Sequence, residues 1–284
     1  NTLLLENLFF AKQYEEALGM AQEVRNVLPE TDPDRDLTDF VVGASYFNLG
    51  QIEKAQMELE SHASRFKDSK YKEPVRYFEA AALQRMKQYE KAIEKYEAFT
   101  TAYPDSDYIS FALLDLATSY FQMGKYDDCL RTVTRLEEKA PDFSELDRAI
   151  AMRGDSHLML ANNEAAEEAY LKAKAMAEAA GEGHEVIVGR VLVQLVRAAV
   201  ALEAEDRVIE YYDQYMSKYK GGFYDAEVVV SALAAMKKAE RGEEALDQLQ
   251  QVIIRLGKGD EGTGIEEAIG SYTEHYAEVV GAPE

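Results

Sequence analysis

The sequence of 284 residues contains one cysteine, Cys129, together with only six prolines and 17 glycines. A single cysteine excludes an internal disulfide framework and a zinc site built from cysteine ligands. The small number of prolines and glycines favours helices over irregular structure. Cysteine usage alone leaves the cellular compartment open.

Basic residues are also scarce, with 31 against 53 acidic ones and a net charge of −22. Such a charge favours solubility and repels polyanions, so we expect no nucleic-acid partner. No run of about 18 apolar residues occurs, so we expect no direct membrane insertion. The chain begins without a methionine or a basic leader, so we expect its natural start to be absent and leave open that it is a fragment of a longer repeat protein.

One short phrase, such as YFQMGKYDDCL at 120–130, recurs along the chain. Aligning its small residue gives seven equivalent positions with spacings of 38, 37, 37, 37, 42 and 37 residues. They are Ala17, Ala55, Ala92, Cys129, Ala166, Val208 and Ala245. This period is typical of arrays of helical hairpins.

Each repeat contains two amphipathic helical patterns joined by a short polar turn. In the fourth repeat the first helix is predicted from about Tyr108 to Met123 and ends at Gly124, a residue suited to a left-handed conformation. The second helix begins near Tyr126 and stops before Pro141. The small residue at the aligned position allows the two helices to approach closely.

Further positions recur in the same register. Small residues of the first helix are Gly43, Ala80, Ala117 and Gly154; turn aromatics are Tyr14, Tyr89 and Tyr126; terminal prolines are Pro29, Pro104 and Pro141. With the aligned alanine, this pattern resembles the tetratricopeptide repeat over almost the whole chain. The resemblance fades in the first, sixth and seventh repeats, where the small residue is replaced by Leu5, Val196 and Leu233. It implies an all-α, right-handed solenoid of about seven antiparallel hairpins with a C-terminal closing helix.

The predicted organisation is a single domain over residues 1–284. The repeats span about 1–34, 35–71, 72–108, 109–145, 146–186, 187–224 and 225–259, and the closing helix about 264–280. The fifth repeat is five residues longer than the 37-residue period, which predicts a helix extended to about Ala180 and a loop at Gly181–Glu185. We interpret this insertion as a tolerated surface loop rather than a site.

The junction YPDSDYISFALLDLATSYFQMGKYDD (103–128) narrows the resemblance. It is similar to the long-loop repeats of bacterial envelope proteins of the BamD-like and YbgF-like kind. This implies a location in the periplasm or cell envelope, with the cytoplasm as the alternative.

No catalytic constellation is found in the sequence. His62 and His157 fall on helix-packing positions and Cys129 on the small-residue position, so we expect all three to be packing residues. The stretch GKGDEGTG (257–264) lacks the order of a phosphate-binding loop and is interpreted as a flexible break. We therefore predict a non-enzymatic protein with no cofactor and no metal site.

The resemblance places a partner-binding groove along the first helices, aromatic in its first half and basic in its second. Its predicted residues are Phe40, Phe47, Tyr77, Gln84, Arg85, Leu114, Phe121, Gln122, Arg148, Arg190 and Arg197. Whether the aromatic residues contact a partner or pack against neighbouring repeats stays open. The arginines are expected to receive an acidic portion of the partner.

The leading hypothesis is a scaffold that binds a peptide or helix of a partner protein in this groove. The alternatives are a self-assembling structural subunit and a peptide-sensing regulatory module. The sequence identifies neither the partner nor the oligomeric state.

Overall fold

In the computed structural model the chain is described over residues 2–258, 262 and 264–280, and within these residues it forms fifteen helices and no strand. The first eight are α1 (Thr2–Phe10), α2 (Tyr14–Val27), α3 (Arg35–Asn48), α4 (Ile52–Arg65), α5 (Lys72–Arg85), α6 (Tyr89–Ala102), α7 (Ile109–Gln122) and α8 (Tyr126–Lys139). The others are α9 (Leu146–Met159), α10 (Asn163–Ala180), α11 (Glu185–Ala201), α12 (Glu205–Tyr219), α13 (Asp225–Lys238), α14 (Gly242–Gly257) and α15 (Ile265–Val280).

The helices form hairpins in chain order, from α1 with α2 to α13 with α14, and α15 follows as a last helix. First helices also pack side by side, as α3 does on α5 and α11 on α13. This arrangement confirms the predicted all-α solenoid. The lengthened helix α10 ends at Ala180 and α11 begins at Glu185, as the insertion predicts.

The chain divides into two compact units, Asn1–Phe143 and Ser144–Glu284. We call them the N-terminal unit, which contains α1 to α8, and the C-terminal unit, which contains α9 to α15. A single domain over the whole chain stays a prediction.

The aligned small residues lie in the packed interior. All seven are buried: Ala17, Ala55, Ala92, Cys129, Ala166 and Ala245 are 0% exposed and Val208 is 2% exposed. The small residue of the first helix is equally confined, because a Cβ atom on Gly154 would lie 2.5 Å from Cε1 of Tyr170. These contacts explain why small side chains recur with the period of the hairpin.

Each first helix ends in the same backbone turn. The turn residue adopts a positive φ in all seven hairpins, at Lys12, Gly50, Lys87, Gly124, Ala161, Glu203 and Glu240. In the second hairpin the Gly50 N–H donates to the Phe47 carbonyl and the Gln51 N–H to the Tyr46 carbonyl. This pair of bonds defines a Schellman motif, which satisfies carbonyl groups that the helix end would leave unpaired. Gly124 has the left-handed conformation predicted from the sequence, whereas the five non-glycine turns were not foreseen.

Replacing Gly154 with alanine is expected to lower the free energy of unfolding by about 1–3 kcal/mol, because the new Cβ overlaps the fully buried Tyr170 ring. The control is Gly19→Ala at an exposed position of α2, where no atom lies within 4 Å of the new Cβ and up to about 1 kcal/mol should be gained. Urea unfolding followed by circular dichroism measures both. Wild-type stability in Gly154→Ala would contradict the close approach.

Candidate functional site

Two of the predicted groove residues of the N-terminal unit are core residues. Phe40 is 1% exposed and Leu114 is 4% exposed. The Phe40 ring stacks on Tyr71 with centroids 4.9 Å apart and meets the edge of Phe9 at 5.3 Å. In this structure neither Phe40 nor Leu114 offers a surface to a partner. Only the other predicted residues of this unit are candidates for contact with one.

Tyr77 and Gln84 connect successive first helices. The Tyr77 ring stacks on Tyr108 at 5.1 Å, and its hydroxyl donates to the Asp115 carboxylate at 3.0 Å. The Gln84 amide donates to the Asp115 carbonyl oxygen at 2.7 Å and to the Ser119 hydroxyl at 3.1 Å. These contacts give both side chains a structural role between α5 and α7.

The accessible predicted residues of this unit lie in the last turns of α3, α5 and α7. The Arg85 guanidinium lies 5.5 Å from the centroid of the Phe47 ring, whose other neighbour is Phe78 at 5.2 Å. The Phe121 ring meets Tyr126 at 5.5 Å. We call this set the aromatic surface; it consists of Phe47, Arg85, Phe121 and Gln122, which are all at least partly exposed.

In the C-terminal unit every predicted arginine has an acidic neighbour. The pairs are Arg148 with Glu145, Arg190 with Asp155 at 3.0 Å, and Arg197 with Glu227 at 2.7 Å. Local carboxylates therefore neutralise the positive site that the sequence suggested. An acidic ligand would have to compete with these ion pairs.

Asp155 also shows a feature that the sequence analysis missed. Its carboxylate accepts a hydrogen bond of 2.8 Å from the fully buried Tyr170 hydroxyl. Burial raises the pKa of Tyr170, and the neighbouring negative charge of Asp155 raises it further. Arg190 thus belongs to a structural cluster of tyrosine, carboxylate and arginine.

The same pairing of a buried tyrosine with a carboxylate recurs in other hairpins. The Tyr96 hydroxyl donates to Asp115 at 3.1 Å and the Tyr215 hydroxyl to Asp225 at 3.2 Å. Burial raises the pKa of both tyrosines, and the carboxylate adds to the shift in each case. Eighteen tyrosines in the sequence were the only available hint of this network.

The exposed face of α13 carries two adjoining cavities that share Ser231. One, of about 420 Å³, lies beside the α11–α12 turn, and the other, of about 290 Å³, lies beside α11 and α15. Small side chains such as Ala226 and Ala234 line them. We call this surface the α13 trough; its main residues are Arg197, Val200, Glu203, Glu205, Glu227, Ser231, Ala234, Lys238 and Glu267. Of the predicted site residues only Arg197 belongs to it.

A metal site requires several ligating side chains close together. The part of the chain that the structure describes holds no cluster of three His, Cys, Asp or Glu side chains suited to a metal ion. His62 is 1% exposed, with Nε2 2.9 Å from the Asp36 carboxylate, and Cys129 is fully buried, so both are packing residues as predicted. Residues 259–261 and 263 of the predicted flexible break lie outside the described residues. Among the described helices, none has the length and apolar character needed to cross a bilayer.

Comparison with known proteins yields one family model and many similar folds. The model of YfiO, an outer membrane lipoprotein, matches residues 77–188, which is less than half of the chain. No curated protein matches the sequence.

Three solved structures illustrate the similarity of fold. The apo form of RapI has a TM-score of 0.69 at 14% identity, with 98% of this chain and 85% of that chain covered. The C-terminal part of a TPR repeat-containing protein from Cytophaga hutchinsonii has 0.68 at 14%, covering 95% and 98%. The apo form of the quorum sensor NprR from B. thuringiensis has 0.64 at 15%, covering 99% and 82%. At these identities the likeness concerns the fold alone.

The buried tyrosines are expected to make stability fall at alkaline pH. An unfolded tyrosine ionises near pH 10, so above about that pH the unfolded chain releases protons that the folded protein retains. Their contribution is therefore complete below about pH 10 and is lost as the pH rises toward the higher folded pKa values. Urea midpoints measured across this range, with tyrosinate absorbance recorded in parallel, check this. Tyr170→Phe should show a shallower loss, whereas ionisation of all 18 tyrosines in a protein that stays folded would contradict the assignment.

Proposed function

We propose that this chain, which shares its fold with a TPR repeat-containing protein, is a non-enzymatic scaffold that binds an extended segment of a partner protein. We further propose that it works in a bacterial cell envelope. The match of residues 77–188 to an outer membrane lipoprotein family supports this location. Stacked helical hairpins present long continuous faces, and such faces suit the binding of extended polypeptides.

The observation that carries this proposal is the pair of adjoining cavities along the α13 trough. Clefts lined by small and apolar side chains with a few polar groups are where ligands bury surface and find orientation. Val200 and Ala234 supply apolar lining, while Arg197 and Lys238 lie at different points along the trough. A polypeptide laid along α13 would contact both cavities in turn.

The aromatic surface of the N-terminal unit is proposed as a second area of contact. Aromatic and arginine side chains are the commonest energetic anchors of protein interfaces. Phe47 and Phe121 are each packed on one side by another aromatic ring and remain partly exposed. Rings that are already fixed by such packing lose little conformational freedom when a partner binds.

The substitution Ala234→Arg tests the trough. Ala234 is an exposed helical position, so arginine is compatible with α13 while its side chain occupies the larger cavity. A partner is first identified by cross-linking and co-purification, and its affinity for each variant is then measured by calorimetry. We expect a loss of at least about tenfold, since the blocked contacts lie at the centre of the surface.

The matched control is Ala175→Arg, another exposed alanine of a helix in the same unit, on α10. It should leave affinity unchanged, and both variants should show wild-type helical content. If Ala175→Arg abolishes binding while Ala234→Arg does not, the partner binds the second helices and the trough assignment is wrong.

A specific observation favours self-association as a second candidate function. Leu3, Leu4 and Phe10 on α1 are 72%, 51% and 62% exposed. In the repeat register Leu3 corresponds to Phe78, whose ring packs on Phe47 of the preceding hairpin. The outer face of α1 therefore has the apolar character of a surface that accepts another hairpin.

Sedimentation at increasing protein concentration separates the two candidates. A self-assembling subunit would form larger species, and the double substitution Leu3→Ser with Phe10→Ser would return it to a monomer because the apolar contact is removed. Met57→Ser is the control, since Met57 is 71% exposed on α4. A monomer at all concentrations would contradict self-association and leave the scaffold proposal in place.

A further inference from the structure

We propose that the α13 trough takes an extended basic segment carrying two cationic side chains about five residues apart. This inference rests on the proposed function and specifies the chemistry of its partner. The proposed charge of the partner is opposite to the sequence-based expectation, in which the arginines receive an acidic portion of the partner.

More acidic than basic side chains line the trough. Four carboxylates line it, from Glu203, Glu205, Glu227 and Glu267, against the two cations Arg197 and Lys238. Arg197 is paired with Glu227 at 2.7 Å, and Lys238 is paired with Glu205. Among the described residues, neither Glu203 nor Glu267 forms an ion pair. Glu205 raises the pKa of Lys238, and the more distant carboxylate of Glu203 adds to this shift. Two cations therefore face four carboxylates, and Glu203 and Glu267 are the two that no basic side chain contacts directly.

The two available carboxylates lie near opposite ends of the trough. Glu203 lines the cavity that reaches Lys238, and Glu267 lines the cavity that contains Glu227. Glu227 and Lys238 are eleven residues apart on α13, which corresponds to roughly 16 Å of helix. An extended polypeptide advances about 3.3 Å per residue, so about five residues cover that distance. We take this span of α13 as the separation of Glu203 and Glu267, which gives the expected spacing of the two cationic side chains.

The middle of the trough restricts the residues between the two cations. Both cavities meet at Ser231, and Ala234 and Ala235 continue the same lining. Cavities of about 290 and 420 Å³ floored by such small side chains accept apolar side chains of modest size. A segment that carried further charges there would leave them without partners.

The surrounding charge acts in the same direction. The C-terminal unit contains 27 acidic and 14 basic residues. Its field attracts a cationic segment and repels an acidic one, which raises the association rate of the former at low salt.

Selection of random peptides displayed on phage against the purified full chain tests the inference. The enriched peptides should carry two lysines or arginines about four to six residues apart, with small or apolar residues between them. Synthetic copies should bind more weakly at high salt. Glu203→Gln and Glu267→Gln should each lower their affinity about two- to fivefold, the size expected for exposed charge pairs. Glu168→Gln, an exposed position of α10, should have no effect.

The outcomes separate this inference from the proposed function. If enriched peptides are acidic or neutral yet lose affinity in Ala234→Arg, the trough binds polypeptide but the basic chemistry is wrong. If basic peptides bind Ala234→Arg normally, they bind elsewhere on the protein. Polypeptide binding in the α13 trough and its preference for basic segments would then both be wrong. An absence of any enrichment would count against polypeptide binding itself. Only basic peptides sensitive to Ala234→Arg and to both glutamine substitutions support the inference.

Discussion

The close approach of two helices at one small residue is the contact on which each hairpin depends. At Ala55 or Ala92 the side chain is fully buried, and a larger group would separate the helices and expose the apolar faces beside it. Cys129 and Val208, which are larger than alanine, are also buried, so the position accepts a modest increase in volume. Once the pair is closed, one apolar face is still uncovered, and the neighbouring first helix covers it. The hairpin contact therefore also determines how successive repeats pack within each unit.

Much of the fold could be predicted because its signals are local and repeated. The spacing of small residues identified the hairpins, and the five-residue insertion gave the end of α10 at Ala180. The turns at Lys87 and Ala161 could not be predicted from residue type, since a left-handed residue is expected to be glycine. There the two hydrogen bonds of the Schellman motif stabilise a conformation that the side chain disfavours.

The candidate site was predicted less well because its properties depend on contacts between helices. Phe40 and Phe47 are seven residues apart on α3, yet one is in the core and the other is partly exposed. The ion pairs of Arg190 with Asp155 and of Arg197 with Glu227 join residues 35 and 30 positions apart. Sequence composition shows an arginine but not the carboxylate that neutralises it. The α13 trough depends likewise on how four helices, α11, α12, α13 and α15, meet.

The repeated turn has a consequence for measuring motion in this protein. Its seven residues share one backbone conformation and all are exposed, although their side chains include lysine, alanine and glutamate. Chemical labels attached there would lie at equivalent places in successive hairpins without entering the packed interior. Dyes at Lys12 and Lys87, two repeats apart within the N-terminal unit, would act as a spectroscopic ruler. The distance between the two dyes would then show how far these hairpins move relative to one another when the protein is stretched.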